Sequence, residues 1–195
     1  MSFKIIIPDI IRKAKENSSS HIFFVNSPIT TIVTKLIIEN YNLDSKKILI
    51  VSIRNTNTAI LDYLTVKPRK NLLDKVLLKL FNYNLFGKRI LNSFKIKNKN
   101  FIIYSAWFYP EVQDSINSSK CIGHIYLEEG QLSYTSIKPI SKKKMSIENK
   151  STVYLEPHLR KNYFLNTAKS FIGIFPKVFP QISKEKKFIL NNHTD

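Results

Sequence analysis

Four runs of uninterrupted apolar residues mark out this chain, and helical spacing fills the gaps between them. The runs are His21–Val25, Lys47–Ile53, Phe101–Ser105 and Cys121–Leu127. Each is rich in Ile, Val, Phe and Tyr and lacks the in–out alternation of a half-exposed strand. That pattern predicts strands covered on both faces, as in a parallel sheet. After the first run comes Asn26-Ser27-Pro28, where Ser27 suits a helix N-cap and Pro28 the first helical position. Ile29, Ile32, Val33, Leu36 and Ile37 then recur at helical spacing. After the second run, a polar loop (Arg54 to Asn57) leads to Leu72, Leu73, Val76, Leu77, Leu80 and Phe81, the apolar stripe of a basic amphipathic helix. Pro110 opens a short helix through Ser115 to Ser118.

The flanks read differently. A short basic helix is predicted over Asp9 to Glu16, closed by Ser18-Ser19-Ser20. Beyond Gly130 the chain turns polar, with Lys142-Lys143-Lys144 in an exposed loop and a short strand over Thr152 to Leu155. Residues Leu159 to Ile174 are predicted helical, and Phe175 to Pro180 read as a connector. Lys187 to Leu190 then reads as the first strand of a further unit. Alternating strands and helices with short loops give an α/β fold, a Rossmann-like parallel sheet with flanking helices. The predicted organisation is an N-terminal extension (1–20), a Rossmann-like domain (21–175) and a connector leading to a missing second domain (176–195).

Composition narrows the function classes. The chain has 195 residues, 43% of them hydrophobic, enough for a packed core and too many for general disorder. A single cysteine, Cys121, excludes a disulfide framework and a Cys-based zinc cluster. His21, His124, His158 and His193 are scattered without metal-ligand spacing, so no metal and no cofactor is expected. No apolar run reaches the ~18 residues that span a bilayer, and Ile5-Ile6-Ile7 meets Pro8 too soon for a signal-peptide core. A cytoplasmic protein is expected.

Charge adds a partner class. Lys and Arg number 31 against 14 Asp and Glu, a formal net charge of +17. Lys67 to Lys99 alone carries ten basic residues and one acid, Asp74. Only five residues of the whole chain are arginine, the residue whose planar fork suits nucleic-acid readers. Lys, Ile and Asn are abundant together, the signature of AT-rich coding DNA, which accounts for part of the lysine. A peripheral contact with an anionic membrane, or a merely solvated surface, is therefore expected of this stretch ahead of nucleic acid.

In open parallel sheets, ligands bind beyond the carboxyl ends of the strands. Three loops qualify: Asn26-Ser27-Pro28, Ser105-Ala106-Trp107 and Glu128-Glu129-Gly130. Two adjacent carboxylates at a strand end point to opposite faces, so one can face the cleft while the other bonds to backbone N–H groups. A carboxylate in a partly dry cleft can act as a general base, and Gly130 permits a sharp turn. Trp107, beside Phe108 and Tyr109, offers a ring that can either stack on a sugar or anchor a packed loop. With four glycines in all, the chain has no phosphate-cradling loop, and it has no G-x-S-x-G elbow. Cys121 and His124 lie inside a strand, where a buried thiol and a packed imidazole are the simpler readings.

The segment His21-Ile22-Phe23-Phe24-Val25-Asn26-Ser27-Pro28 with its following helix resembles the first strand and helix of bacterial sialyltransferases and polysialyltransferases. Ile125-Tyr126-Leu127-Glu128-Glu129-Gly130, with Tyr134 just after, is similar to their acidic-acidic-glycine motif. The resemblance covers roughly Ser20 to Pro180. It implies a GT-B arrangement of two Rossmann-like domains, of which this chain supplies the N-terminal, acceptor-side half. It implies inverting transfer of sialic acid from CMP-sialic acid to a cell-surface glycan, at the cytoplasmic face of the inner membrane. Glu128 would then be the base, with Glu129 and Gly130 shaping the loop and Asn26, Ser27, Trp107, Gly130 and Tyr134 binding substrate. The donor nucleotide would sit on the second domain, which carries a His-Pro motif in that family. No His-Pro dipeptide occurs here, so the chain alone is expected to be inactive. A reading from another class stands beside this one: a basic Rossmann-like module that binds nucleic acid or a partner protein without catalysis.

Overall fold

A computed structural model describes residues 6–53, 56–58, 61, 65–66, 99–135, 137–140 and 163–190. Its centre is a seven-stranded sheet. The strands are β1 (Ser20–Val25), β2 (Ile48–Ser52), β3 (Thr65–Val66), β4 (Phe101–Ser105), β5 (Cys121–Leu127), β8 (Ser170–Gly173) and β9 (Lys187–Ile189). Two further strands, β6 (Lys138–Ile140) and β7 (Tyr163–Leu165), pair with each other apart from it. The order in the main sheet is β3-β2-β1-β4-β5-β8-β9, and every neighbouring pair is parallel. This is the α/β Rossmann-like arrangement expected from the apolar runs, and all four anticipated strands are present within one residue. The order reverses at β1, so the crevice of a topological switch lies at the carboxyl ends of β1 and β4.

The apolar runs are continuous because both sheet faces are covered. On one face Phe23, Val25, Ile50, Tyr104, Ile125 and Leu127 pack against Ile11 and Ala14 of α1 (Asp9–Glu16) and Val33 and Ile37 of α2 (Pro28–Asn40). On the other, Phe24, Val51, Ile103, Tyr126 and Phe171 meet Val112 and Ile116 of α3 (Pro110–Asn117), with Val178 and Phe179. Each fully buried Phe or Ile contributes about 1.5–3 kcal/mol relative to an exposed one. The helix ends follow local rules. The Ser27 and Thr30 side chains form a reciprocal capping box at the start of α2. Ser18 turns the chain after α1 with a left-handed φ of 53°.

Four expectations change. The first twenty residues are no appendage: α1 sits in the core, and Ser20 opens β1. The helix anticipated over Leu159 to Ile174 is replaced, where the structure describes it, by β7 and β8. Phe164, Ala168, Phe171 and Ile172 are spaced for a helix, but pairing Ser170, Phe171 and Ile172 with Ile125, Tyr126 and Leu127 lets Phe171 and Ile172 bury on opposite faces. Lys187 to Leu190 begins no new unit: β9 joins β8 in register Phe171 with Lys187, and Leu190 N–H donates to the Gly173 carbonyl. Two residues of the supposed connector, Val178 and Phe179, are fully buried in the core. The amphipathic helix over Leu72–Phe81, the basic stretch from Lys67, the lysines at 142–144, the strand at Thr152–Leu155 and His158 lie outside the described residues.

Candidate functional site

Because the sheet is parallel, the loops after β1, β4, β5 and β8 all emerge at one edge. The loop after β1 is closed on itself. Thr30 Oγ1 accepts from the backbone N–H of Asn26 at 3.0 Å and of Ser27 at 2.9 Å, while Thr30 N–H donates to Ser27 Oγ at 3.2 Å. The donors that a helix start would offer an anion are thus largely used within the cap. Asn26 is buried, and its side-chain amide has no partner among the described residues.

The loop after β4 does not present the ring expected of it. Trp107 is only 6% exposed, packs into the core beside α2, and stacks on Tyr109 at 5.6 Å between ring centres. An indole is large and apolar, and burying it outweighs displaying it. Trp107 is therefore an anchor of the switch-point loop, which corrects its assignment as a sugar-stacking residue. In the neighbouring strands, Ser105 Oγ and His124 Nε2 lie 2.8 Å apart. Burial lowers the His124 pKa to about 3, with a hydrogen bond to the Ser105 backbone acting in the opposite sense. A neutral imidazole sealed among Phe108 and Tyr126 is a packing element.

The loop after β5 is built from parts of several elements. Glu128 N–H still follows the ladder, donating to the Ile172 carbonyl at 2.9 Å. Its side chain is 1% exposed, yet both carboxylate oxygens have donors. Oε2 accepts from Ile174 N–H at 2.6 Å and Oε1 accepts from the Tyr134 hydroxyl at 2.7 Å. Partial burial, then the hydrogen bond to Glu128 and its charge, push the Tyr134 pKa up, so the phenol stays a donor. Glu129 is half-buried; its N–H donates to Ser133 Oγ at 2.8 Å, and its charge helps burial raise the pKa of Tyr126. Gly130 takes φ 104°, ψ −140°, a conformation costly for any side chain, and starts the 3₁₀ turn Gln131–Tyr134. A Cβ there would lie 3.9 Å from Ile29 Cγ1, so this loop reaches the first turn of α2.

The arrangement thus brings together the expected residues Glu128, Glu129, Gly130 and Tyr134, with Ser27 on the neighbouring loop and Trp107 turned inward. It also recruits residues that the sequence reading missed. Gly173 faces Glu128 so closely that a Cβ would fall 2.8 Å from Oε2 and 2.6 Å from Val178 Cγ1. Its signal was present, as one of only four glycines, following an apolar run. Phe179 N–H donates to the Ser133 carbonyl at 2.7 Å and staples the turn after β8 to the turn after β5. Chemically, Glu128 is a buried carboxylate held by a backbone N–H on one oxygen and by a phenol on the other.

A larger cavity, about 840 Å³, opens between α1 and the starts of β5, β8 and β9. It holds none of the strand-end loops, and the switch-point rule places chemistry at the opposite edge. Among the described residues, no group of three His, Cys, Asp or Glu side chains comes together, and no helix is long and apolar enough to cross a membrane. No protein-family model, no curated protein and no solved structure matches this chain.

Proposed function

We propose that this chain is the acceptor-side domain of a sialyltransferase-like glycosyltransferase, with Glu128 as its base. The supporting observation is the Glu128 carboxylate itself. Oε2 is tied to Ile174 N–H, and Oε1 is bonded to a part-exposed phenol at the ligand-binding edge of a parallel sheet. In this reading an acceptor hydroxyl replaces the Tyr134 hydroxyl on Oε1. As the acceptor oxygen bonds to the anomeric carbon of CMP-sialic acid, its proton passes to Glu128 and the bond to CMP breaks. The displacement inverts the anomeric centre. Fixing Oε2 costs entropy at folding rather than at reaction, which is what positions a base for transfer. The donor nucleotide is assigned to a second domain, and the protein to the cytoplasmic side of an anionic membrane.

The test is transfer of labelled sialic acid from CMP-sialic acid to a panel of bacterial surface glycans by the protein in its full natural length. Transfer that Glu128→Gln removes and Glu129→Gln retains is expected. Residues 1–195 alone should release little CMP. A full-length protein that releases no CMP with any acceptor, and instead retains DNA or RNA at physiological salt, would replace this reading with a nucleic-acid module.

A further inference from the structure

Among the described residues, five large hydrophobic side chains stay exposed, and two of them stand at the same edge as Glu128: Tyr134 at 38% and Phe175 at 48%. With Pro176 and Lys177 they line an open apolar pocket of about 480 Å³. That volume lies within the ~300–1,000 Å³ of small-molecule sites. The two rings come from different turns, yet their spacing is fixed. Glu128 bonds Tyr134 on one oxygen and the residue before Phe175 on the other. Phe179 N–H donates to the Ser133 carbonyl, and Val178 N–H to the Phe175 carbonyl at 3.1 Å. Two aromatic side chains thus stand beside each other on turns joined by backbone bonds, and the hydroxyl of one of them, Tyr134, donates to the buried Glu128 carboxylate. Folding alone gives no reason to leave both rings in water.

We propose that Tyr134 and Phe175 form the subsite for the terminal pyranose of the acceptor, in the place first assigned to Trp107. A pyranose has an apolar C–H face that covers an aromatic ring and a rim of hydroxyls that suits a carboxylate. With the ring against Tyr134 and Phe175, one hydroxyl meets Glu128 Oε1 in place of the phenol. This subsite rests on the proposed function for its role, but its occupancy can be measured without catalysis.

The experiment is saturation-transfer NMR on the whole chain. The probes are methyl β-galactopyranoside, methyl α-glucopyranoside and the methyl glycoside of N-acetylneuraminic acid, with benzyl alcohol as an apolar probe. At least one glycoside should bind, with saturation concentrated on the protons of one ring face. Phe175→Ala and Tyr134→Ala should each weaken that glycoside about tenfold, the scale of one aromatic contact. Phe175→Trp should retain it, and Phe175→Ala should leave the melting curve near wild type, whereas Tyr134→Ala also strips a donor from buried Glu128 and should lower it. Binding of benzyl alcohol alone, or glycoside binding unchanged in Phe175→Ala, would overturn the subsite. Failure of the two proposals is distinguishable. Glycoside binding lost in Phe175→Ala without CMP release keeps the subsite and removes the transferase reading. CMP release with a KM untouched by Phe175→Ala does the reverse.

Discussion

The loops after β1 and β5 leave the same edge of the sheet, and they spend their polar groups in opposite ways. Around Ser27 the hydrogen bonds are exchanged between residues three or four apart, Ser27 with Thr30 and Thr31. Around Glu128 near partners such as Tyr134, six residues away, are joined by distant ones, with Ile174 46 residues away. The first arrangement starts a helix and leaves little for a ligand. The second ties two turns together and leaves one oxygen under an exposed phenol. A loop satisfied by its own neighbours is a structural device, whereas one satisfied through long-range partners gathers side chains into a site.

The comparison breaks first at Glu128. On the proposed function, Glu128→Gln keeps the size of the side chain and an acceptor for Ile174 N–H but cannot take a proton. The expected loss is ~10²–10⁴-fold in kcat with acceptor binding little changed. An unchanged kcat would remove Glu128 as base, and a loss confined to Glu129→Gln would move the role to its neighbour.

Acid should act next, and on the sheet rather than on the site. Burial is the main cause that lowers His21 to about 4 and His124 to about 3, with Lys47 and Lys15 adding to the effect on His21. Both folded values lie below the unfolded value near 6.5, so the unfolded chain binds protons first. The stability from keeping them neutral is complete above about pH 6.5 and falls as pH drops toward 4 and 3. Each histidine removes up to about 1.4 kcal/mol per pH unit in that window. Urea melts at pH 7 and pH 5 measure this. A double variant, His21→Gln with His124→Gln, should flatten the slope; an unchanged slope would place the acid sensitivity elsewhere.

Gly173→Ala sharpens the contrast between the loops. Its Cβ would overlap Glu128 Oε2 and Val178 Cγ1, so the carboxylate must move. A loss of about 1–3 kcal/mol is expected, as for other overpacked sites, together with reduced transfer. Wild-type stability and transfer would show that Glu128 needs no close approach. The smallest effect belongs to the self-contained loop. Ser27→Ala removes one half of the capping box and should cost about 1 kcal/mol in a thermal melt, with transfer unaltered. A large loss of transfer there would make the β1 loop part of the site after all.

The fold was legible wherever the signal was local. Continuous apolar runs announced β1, β2, β4 and β5, and Ser27-Pro28 announced the start of α2, because a strand buried on two faces and a helix cap each leave their mark within a few residues. The carboxyl-edge position of Glu128-Glu129-Gly130 was legible for the same reason. The C-terminal strands were not. Phe171 and Ile172 suit a helix as well as a strand, and only the open edge of β5 made pairing the better use of them. Lys187-Phe188-Ile189 was recognisable as a strand, but whether it joined this sheet depended on the edge offered by β8. Trp107 could be read as a display ring or an anchor until the core filled around it. Local sequence thus determined which segments could be strands and where a carboxylate pair would emerge. Tertiary structure decided which edge each late strand joined and which Glu128 oxygen was tied down. It also left Tyr134 and Phe175 rather than Trp107 facing water. These outcomes depend on contacts between residues tens of positions apart, and the free energy of such contacts exists only once the sheet has assembled.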